Sequence, residues 1–393
     1  MARRNGGFIG QDGLDAPDPP TGVAGTAGNA QVSVAFTAPT DTGTSAITGF
    51  VAQVGAFGTA GSSSPLVVTG LTNNTAVTAV VRAINAYGTS DSSAASASFT
   101  PFAPTGLVAG GGNSNIIEFF TIPSTGNATD FGDLLETGEG FAGGGNDTRA
   151  LFIGNSSAYD GTKTIHFVVY ASAGNATDFG DMTTSTGYTG GTSSMSSTTR
   201  AVFCAGRQGN PMEYVTIASE GNSTDFGNMH SSKQQLCAMS SSSGRGVMAG
   251  GRDGNTLFNN IEYIAIATLG NGTDFGDLSA TRVRLAACSS ATRGVIGGGH
   301  GSNNTPINTM EYITLGSTGN TTDFGDLTVA RKDLTAFSSS VRGVFVGGHN
   351  GSSTINTVDY ITIASTGNAS DFGDLSAARD QMGSTSNDHG GLQ

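Results

Sequence analysis

Two aspartates three residues apart, Asp130 and Asp133, frame the sequence Asp-Phe-Gly-Asp, and the frame returns five times along the chain. Closely spaced carboxylates are what a hard cation such as calcium requires, because several oxygens must surround it at short range. The later copies hold Asp178 and Asp181, Asp225 with Asn228, Asp274 and Asp277, Asp323 and Asp326, and Asp371 and Asp374. Ahead of each lies Gly-Asn-x-Thr/Ser, which is formally an acceptor for N-linked sugar at Asn127, Asn175, Asn222, Asn271, Asn320 and Asn368. Asp-Phe-Gly also occurs in protein kinases, but no catalytic-loop motif precedes it here. Gly110–Asn113 is glycine-rich, yet it lacks the lysine and the strand–loop–helix setting of a phosphate loop.

The number of copies argues against all of these chemistries. The phenylalanines of the motif, Phe131, Phe179, Phe226, Phe275, Phe324 and Phe372, are 48, 47, 49, 49 and 48 residues apart. A period of that size marks a repeat architecture. A motif that recurs with the fold is expected to build it. Asp and Thr side chains bond nearby backbone in turns, Gly permits positive φ, and Phe fills a gap between units. The motif is therefore read as a turn between units, with no metal and no cofactor expected.

Other polar residues recur in the same way. A cation stands seven residues after the phenylalanine at Lys233, Arg282, Arg331 and Arg379. Another opens a glycine-rich strand at Arg149, Arg200, Arg245, Arg293 and Arg342, and an acid precedes an aromatic at Glu118, Glu213, Glu262, Glu311 and Asp359. Two readings stand: ion pairs that stitch one unit to the next, or a ring of charge around a channel that takes an anion. His300 and His349 occupy equivalent positions beside variable Asn/Ser loops, with no nucleophile or acid at a recognisable spacing. Cys204, Cys237 and Cys288 form no CxxC pair and read as small buried hydrophobes. No catalytic residue is assigned.

Composition sets the frame for these residues. The 393 residues include 61 glycines and no tryptophan, are 12% charged and 36% hydrophobic, and carry a net charge of −13. Val, Ile and Phe alternate in short runs between glycine-rich turns, which predicts many short strands. The acidic balance excludes a nucleic-acid partner, which needs a basic stripe. No run of 18 apolar residues is present, so no membrane-spanning helix is expected. The first twenty residues carry positive charge without an apolar core, so no secretory signal is expected.

The first Asp-Phe-Gly-Asp copy is preceded by only half a unit, Gly106–Phe120, and the last is followed by a matching half, residues 376–393. Five complete units and two complementary halves make six, so the C-terminal strand is expected to complete the unit begun near residue 107. Closing the ends in one sheet removes open edges.

Residues 16–102 read differently. Val32, Val34 and Phe36 alternate with polar or small residues, and the runs ITGFVAQV, LVVTGL and TAVTAVVRAINAYG follow, separated by turn residues. This pattern predicts a β-sandwich. The stretches PDPPTGV, SVAFTAP, ITGF, TGLTNNT and VVRAINAYGTS resemble a fibronectin type III domain. Phe36 stands in place of that family's core tryptophan and Val77 in place of its corner tyrosine. Beyond the Pro-rich link at Pro101–Gly106, the repeats resemble kelch-type propeller blades. The resemblance rests on the glycine pairs Gly250-Gly251, Gly298-Gly299 and Gly347-Gly348, on degenerate versions at Ile153-Gly154 and Ala205-Gly206, and on the aromatics Phe119, Phe167, Tyr214, Tyr263, Tyr312 and Tyr360.

The fold expected is all-β, with an arm over 1–15, a fibronectin type III-like sandwich over 16–102, and a six-bladed kelch-like β-propeller over 103–393 closed by the C-terminal strand. The whole is similar to virion proteins of tailed bacteriophages, those of marine cyanobacteria above all, with GNATDFGDL as the most specific shared feature. That resemblance implies a non-enzymatic virion component in several copies. Its partners would be other tail or capsid proteins and a host-surface glycan or protein. Arg3, Arg4, Phe8 and Ile9 would anchor it, unless the arm folds back on its own domain. The competing expectations are a polysaccharide-degrading propeller enzyme, which should show acids or a His–Tyr pair that break the repeat at one end of the channel, and a bacterial surface adhesin.

Overall fold

A computed structural model describes residues 15–154, 163–183, 193–204 and 209–392. The chain forms two compact units, divided between Pro104 and Thr105. The described residues are all-β apart from one short 3₁₀ turn at Gly390–Leu392. No helix among them is long and apolar enough to cross a membrane.

The first unit holds two antiparallel sheets. One contains β1 (Thr21–Gly28), β2 (Gln31–Thr37) and β5 (Leu66–Thr69). The other runs in the order β4 (Phe57–Gly61), β3 (Ile47–Val54), β6 (Ala79–Asn85) and β7 (Gly88–Thr89). Alternate residues point inward, as a pleated strand requires. Val32, Val34 and Phe36 thus join Phe50, Ala52, Val54, Val68, Val81 and Ala83 in one core. Phe36 packs on Phe50 with ring centroids 4.8 Å apart. At Val77 the backbone bridges to Phe99 in both directions, at 2.9 and 3.0 Å.

The segment after β7 is zipped to β6 by serines at every third residue. The amides of Ser90, Ser93 and Ser96 donate to the carbonyls of Ala83, Val81 and Ala79. Their hydroxyls accept from the amides of those same three residues, each at 2.9 Å. This edge satisfies β6 without presenting a strand of its own, which blunts edge-to-edge pairing.

The second unit holds six four-stranded antiparallel sheets, I to VI. Sheet V shows the pattern: an inner strand Ala286–Ser289, a second Arg293–Gly297, a third Thr309–Thr314 and an outer Thr322–Asp326. The inner strands of sheets II, III, IV and VI are Ala142–Gly145, Ser193–Ser196, Cys237–Ser240 and Thr335–Ser338. Sheet I takes its inner strand from the C-terminus. Gly383–Ser386 pairs antiparallel with Thr105–Ala109, with Gly383 opposite Ala109 and Ser386 opposite Gly106. The two half-repeats at the ends of the series thus share one sheet. Each inner strand lies beside those of the sheets before and after it, and that of sheet VI lies beside that of sheet I.

Second strands such as Arg293–Gly297 are buried on both faces after their first residue, because a sheet packs on each side. Their second residue is glycine where a large side chain arrives from the preceding sheet. A Cβ on Gly294 would lie 2.1 Å from Met239 Sδ, and one on Gly343 would lie 2.3 Å from Cys288 Sγ. One on Gly106 would lie 2.2 Å from Phe337. The three cysteines are free and buried. Burial pushes the Cys204 and Cys237 thiols up to about 12.

Asp-Phe-Gly-Asp was expected as a turn; it is the outer strand of each sheet. The register shifts at its glycine, leaving one extra residue against the third strand. Such a bulge lets the strand bend toward the next sheet.

Candidate functional site

The repeated polar residues are occupied in joints between sheets. At every joint three hydrogen bonds run between the Gly-Asn-x-Thr/Ser segment of one sheet and the outer strand of the sheet before. The glycine amide donates to the Phe carbonyl at 2.7–3.0 Å, and the residue after Asn donates to the carbonyl of the second Asp or Asn at 2.8–3.0 Å. The amide of that second Asp or Asn donates to the Asn Oδ1 at 2.9–3.1 Å. The series returns to its start: Asp374 of sheet VI donates to Asn127 of sheet I. The Asp-Phe-Gly glycines have φ from +138° to +152°. A Cβ there would lie 2.2–2.5 Å from the next segment's glycine backbone, so only glycine fits. The asparagines are therefore clips between sheets and not local turn formers, a role that their spacing alone did not reveal.

The arginine series braces the same joints. Each guanidinium carbon of Arg149, Arg200, Arg245, Arg293 and Arg342 sits 4.4–5.1 Å from the centroid of the aromatic on its own third strand. Each also donates to a carbonyl of the next sheet at 2.8–3.3 Å. Those aromatics meet the Asp-Phe-Gly rings edge to face, as in Tyr312 with Phe324 at 6.1 Å.

The other cations are buried in their own sheets against carboxylates. Lys233 meets Glu262 at 2.5 Å, Arg282 meets Glu311 at 2.9 Å and Arg331 meets Asp359 at 2.9 Å; Arg379 pairs with Glu118. Each acid also accepts an amide from the segment entering its sheet, such as Ser376 on Glu118 and Thr328 on Asp359. In sheet II the cation's place is taken by Gly138 and the acid's by His166, whose Nδ1 accepts the equivalent amide, that of Leu135, at 3.3 Å. Burial holds the His166 pKa below its ordinary value. These pairs are internal supports, and among the described residues the geometry offers no ring of free cations to an anion.

What remains is the space between the six inner strands. All six run the same way, so one end carries the residues before the strands and the other the residues after. At the far end stand Gly145, Ser196, Ser240, Ser289, Ser338 and Ser386. Ser289 Oγ donates to the Ser240 carbonyl and Ser338 Oγ to the Ser289 carbonyl, both at 2.7 Å. Ser386 Oγ donates to the Ser338 carbonyl at 2.5 Å. The wall hydroxyls are thus used between strands. The C-terminal turn crosses this end: His389 Nε2 donates to the Gly145 carbonyl at 3.0 Å while Nδ1 accepts from the Gly391 amide. A Cβ on Gly390 would lie 2.4 Å from the carbonyls of Ser240 and Ser290, so the turn fits closely there.

The near end breaks the repeat. Gln235, Arg284, Asp333 and Gln381 hold one repeat position with φ of 55–60°. That conformation is costly for such residues and persists where the surroundings impose it. Here it aims the amides of Arg284, Asp333 and Gln381 at the preceding sheet. Gly140 donates to Gln381, Gln381 to Asp333, Asp333 to Arg284 and Arg284 to Gln235, at 2.8–3.0 Å. Arg284 Nη1 also pairs with Asp333 Oδ2 at 2.9 Å. The preceding position is again mixed, with Gln234, Val283, Lys332 and Asp380. The first three bridge to Arg252, His300 and His349, so the variable loops that follow those residues share this face. Burial chiefly, with Asp333 and Glu139 adding repulsion, raises the Asp380 pKa. Burial lowers that of His300, with Lys332 and Arg284 adding to the effect. A cavity of about 100 Å³ opens between the inner strands here. The mixed position was legible as a break in the repeat, but its place beside a cavity between the inner strands was not.

Among the described residues, no group of three or more His, Cys, Asp or Glu could hold a metal ion. Arg3, Arg4, Phe8 and Ile9, the expected anchor, lie outside the described residues, as do Ala205 and Gly206. No protein-family model matches the chain, and no curated protein matches it either.

Proposed function

We propose that residues 103–393 form a six-bladed β-propeller following a fibronectin type III-like sandwich, and that the protein is a non-enzymatic structural component of a tailed-bacteriophage virion. It is attached to tail or capsid proteins through its arm and sandwich, is present in several copies, and displays the propeller for contact with the host surface. The observation that carries this reading is that the repeated asparagines and the Arg149 series are spent on joints that return from sheet VI to sheet I, while the repeated acid–cation pairs brace single sheets. A ring so braced suits a particle exposed to solvent without repair. Among the described residues, Gln235, Arg284, Asp333 and Gln381 vary at one repeat position on one face, together with the loops Gly301–Asn308 and Asn350–Asn356, and many weak contacts there gain strength from multiple copies. Two measurements test the reading: detection of the chain in purified virions by mass spectrometry, and reduction of virion adsorption when host cells are first coated with the purified protein. Absence from the particle would remove it.

A second reading, a polysaccharide-degrading propeller enzyme, is favoured by one observation. Asp333, Asp380 and Glu139 break the repeat at the channel mouth, and Asp380 is pushed toward its protonated form. A carboxyl whose pKa is raised, with a second carboxyl nearby, is the kind of group that serves as general acid in glycoside cleavage. Turnover of host polysaccharide that disappears in Asp380→Asn would establish it in place of the first.

A further inference from the structure

We propose that the near end of the channel is a binding site for one neutral pyranose residue, held by Gln235 and Arg284. The inference deepens the reading of this face as a recognition surface and rests on it.

Three independent features converge there. The first is space: the cavity of about 100 Å³ is lined by all six inner strands or the residues just before them, and a cavity with room for several waters has room for the hydroxylated edge of a sugar ring. The second is unmet polarity. Gln235 is 2% exposed, and its Oε1 has no hydrogen-bond partner. Arg284 Nε is likewise buried without a partner, although Nη1 is held by Asp333. Buried polar atoms are nearly always paired, and an unpaired acceptor and an unpaired donor on two residues that line one cavity need an explanation. Both residues line this cavity, and the Arg284 amide donates to the Gln235 carbonyl, so they are neighbours. The third is asymmetry: the repeat position they share is filled by Gln, Arg, Asp and Gln at Gln235, Arg284, Asp333 and Gln381, so it does not present one residue six times.

The chemistry of the ligand follows. An unpaired acceptor and an unpaired donor on neighbouring residues match a hydroxyl that donates to Gln235 and a second oxygen that accepts from Arg284. Vicinal hydroxyls of a sugar supply both. The ligand is neutral because Asp333 already balances the Arg284 charge, while Asp380 and Glu139 stand nearby. The far end is crossed by the C-terminal turn, so the sugar reaches the site from the loop-bearing face.

The test uses the full chain and saturation-transfer NMR with the methyl glycosides of galactose, glucose and mannose, and with methyl glucuronoside as the charged comparison. At least one neutral glycoside should receive saturation, with an affinity of millimolar order expected for so small a ligand. Gln235→Leu and Arg284→Lys should each weaken that binding at least about tenfold, the loss of a neutral or charge-assisted hydrogen bond. Arg284→Lys keeps the charge beside Asp333 and removes Nε. Gln235→Leu should melt at or above the temperature of the parent, because it removes a buried orphan acceptor. No saturation with any neutral glycoside, preference for the glucuronoside, or binding unchanged in both variants would overturn the proposal. So would a lower melting temperature for Gln235→Leu, which would make Gln235 a structural residue. The same preparations separate the two readings. Variants that lose the glycoside yet still block adsorption as the parent does would overturn the sugar site as the recognition site and leave host attachment standing. Glycoside binding by a chain absent from virions would support the site and remove the virion reading.

Discussion

Arg342 Nη1 donates to the carbonyl of Ile122, 3.1 Å away, across 220 residues of sequence. It is the same bond that Arg293 makes to Ile363 and Arg245 to Leu315, carried from the last repeat to the first. Asp374 to Asn127 closes the same joint from the outer strands, and Gly383–Ser386 closes it by supplying sheet I with its inner strand. The last repeat is therefore joined to the first at three places by bonds of the same kinds used elsewhere.

Removal of residues 376–393 should be far more damaging than removal of the first 15. The truncation strips the inner strand of sheet I, the Arg379–Glu118 pair and the turn across the channel. The melting temperature of the second unit should fall by more than ~10 °C, since each kcal/mol is worth about 2–4 °C in a unit of this size. Calorimetry of the two truncations against the full chain checks this, and equal melting would contradict ring closure.

The asparagine clip should show in single substitutions. Asn320→Ala should cost about 1 kcal/mol by leaving the Asp277 amide without its partner. Asn320→Asp, which keeps an acceptor oxygen, should cost less. Urea denaturation of both variants gives the comparison.

The pair of Arg331 and Asp359 is fully buried, with both side chains 0% exposed. Arg331→Met alone should destabilise by about 3–5 kcal/mol because it strands a buried carboxylate. Arg331→Met with Asp359→Leu should recover most of that loss. Sheet II already lacks the pair, with Gly138 and His166 in its places, so the architecture tolerates losing both partners together. A double-mutant cycle measures the coupling.

Stability should fall as the pH drops from about 6.5 toward 4. His389 has its pKa lowered to about 4 by burial, so the folded state needs the neutral ring. The unfolded chain takes up the proton near pH 6.5, and between the two values the unfolded state binds more protons, which makes stability rise with pH. The contribution is complete above about pH 6.5 and is lost on descent through the window. His166, also lowered, acts in the same direction. His389→Gln should flatten part of this slope in melts from pH 4 to 7.

Much of the frame was legible in the chain. The even spacing of Phe131 to Phe372 reports the number of units, because a stacked repeat must bury an equal face each time. Alternation at Val32, Val34 and Phe36 reports strands, because a pleat exposes every second side chain. The half-units at each end report which strand joins which sheet. Asn127 and its five equivalents were misassigned, because the amide that they accept lies in another sheet, 42–43 residues away at most joints and 247 at the last. Asp-Phe-Gly-Asp was misassigned as a turn because glycine and aspartate mark both turns and bulges.

The sequence by itself determined the repeat, its count, its strands and the residues that depart from it, since all of these are properties of order along one dimension. Only the tertiary structure decided that Gln235, Arg284, Asp333 and Gln381 meet, that their backbones adopt left-handed φ to bond one another, and that Gln235 and Arg284, which line one cavity, each keep a buried polar atom unpaired. The reason is physical. Each stands about 48 residues from the next, and which partner satisfies a buried polar group depends on how six sheets pack, not on what lies beside it in the chain.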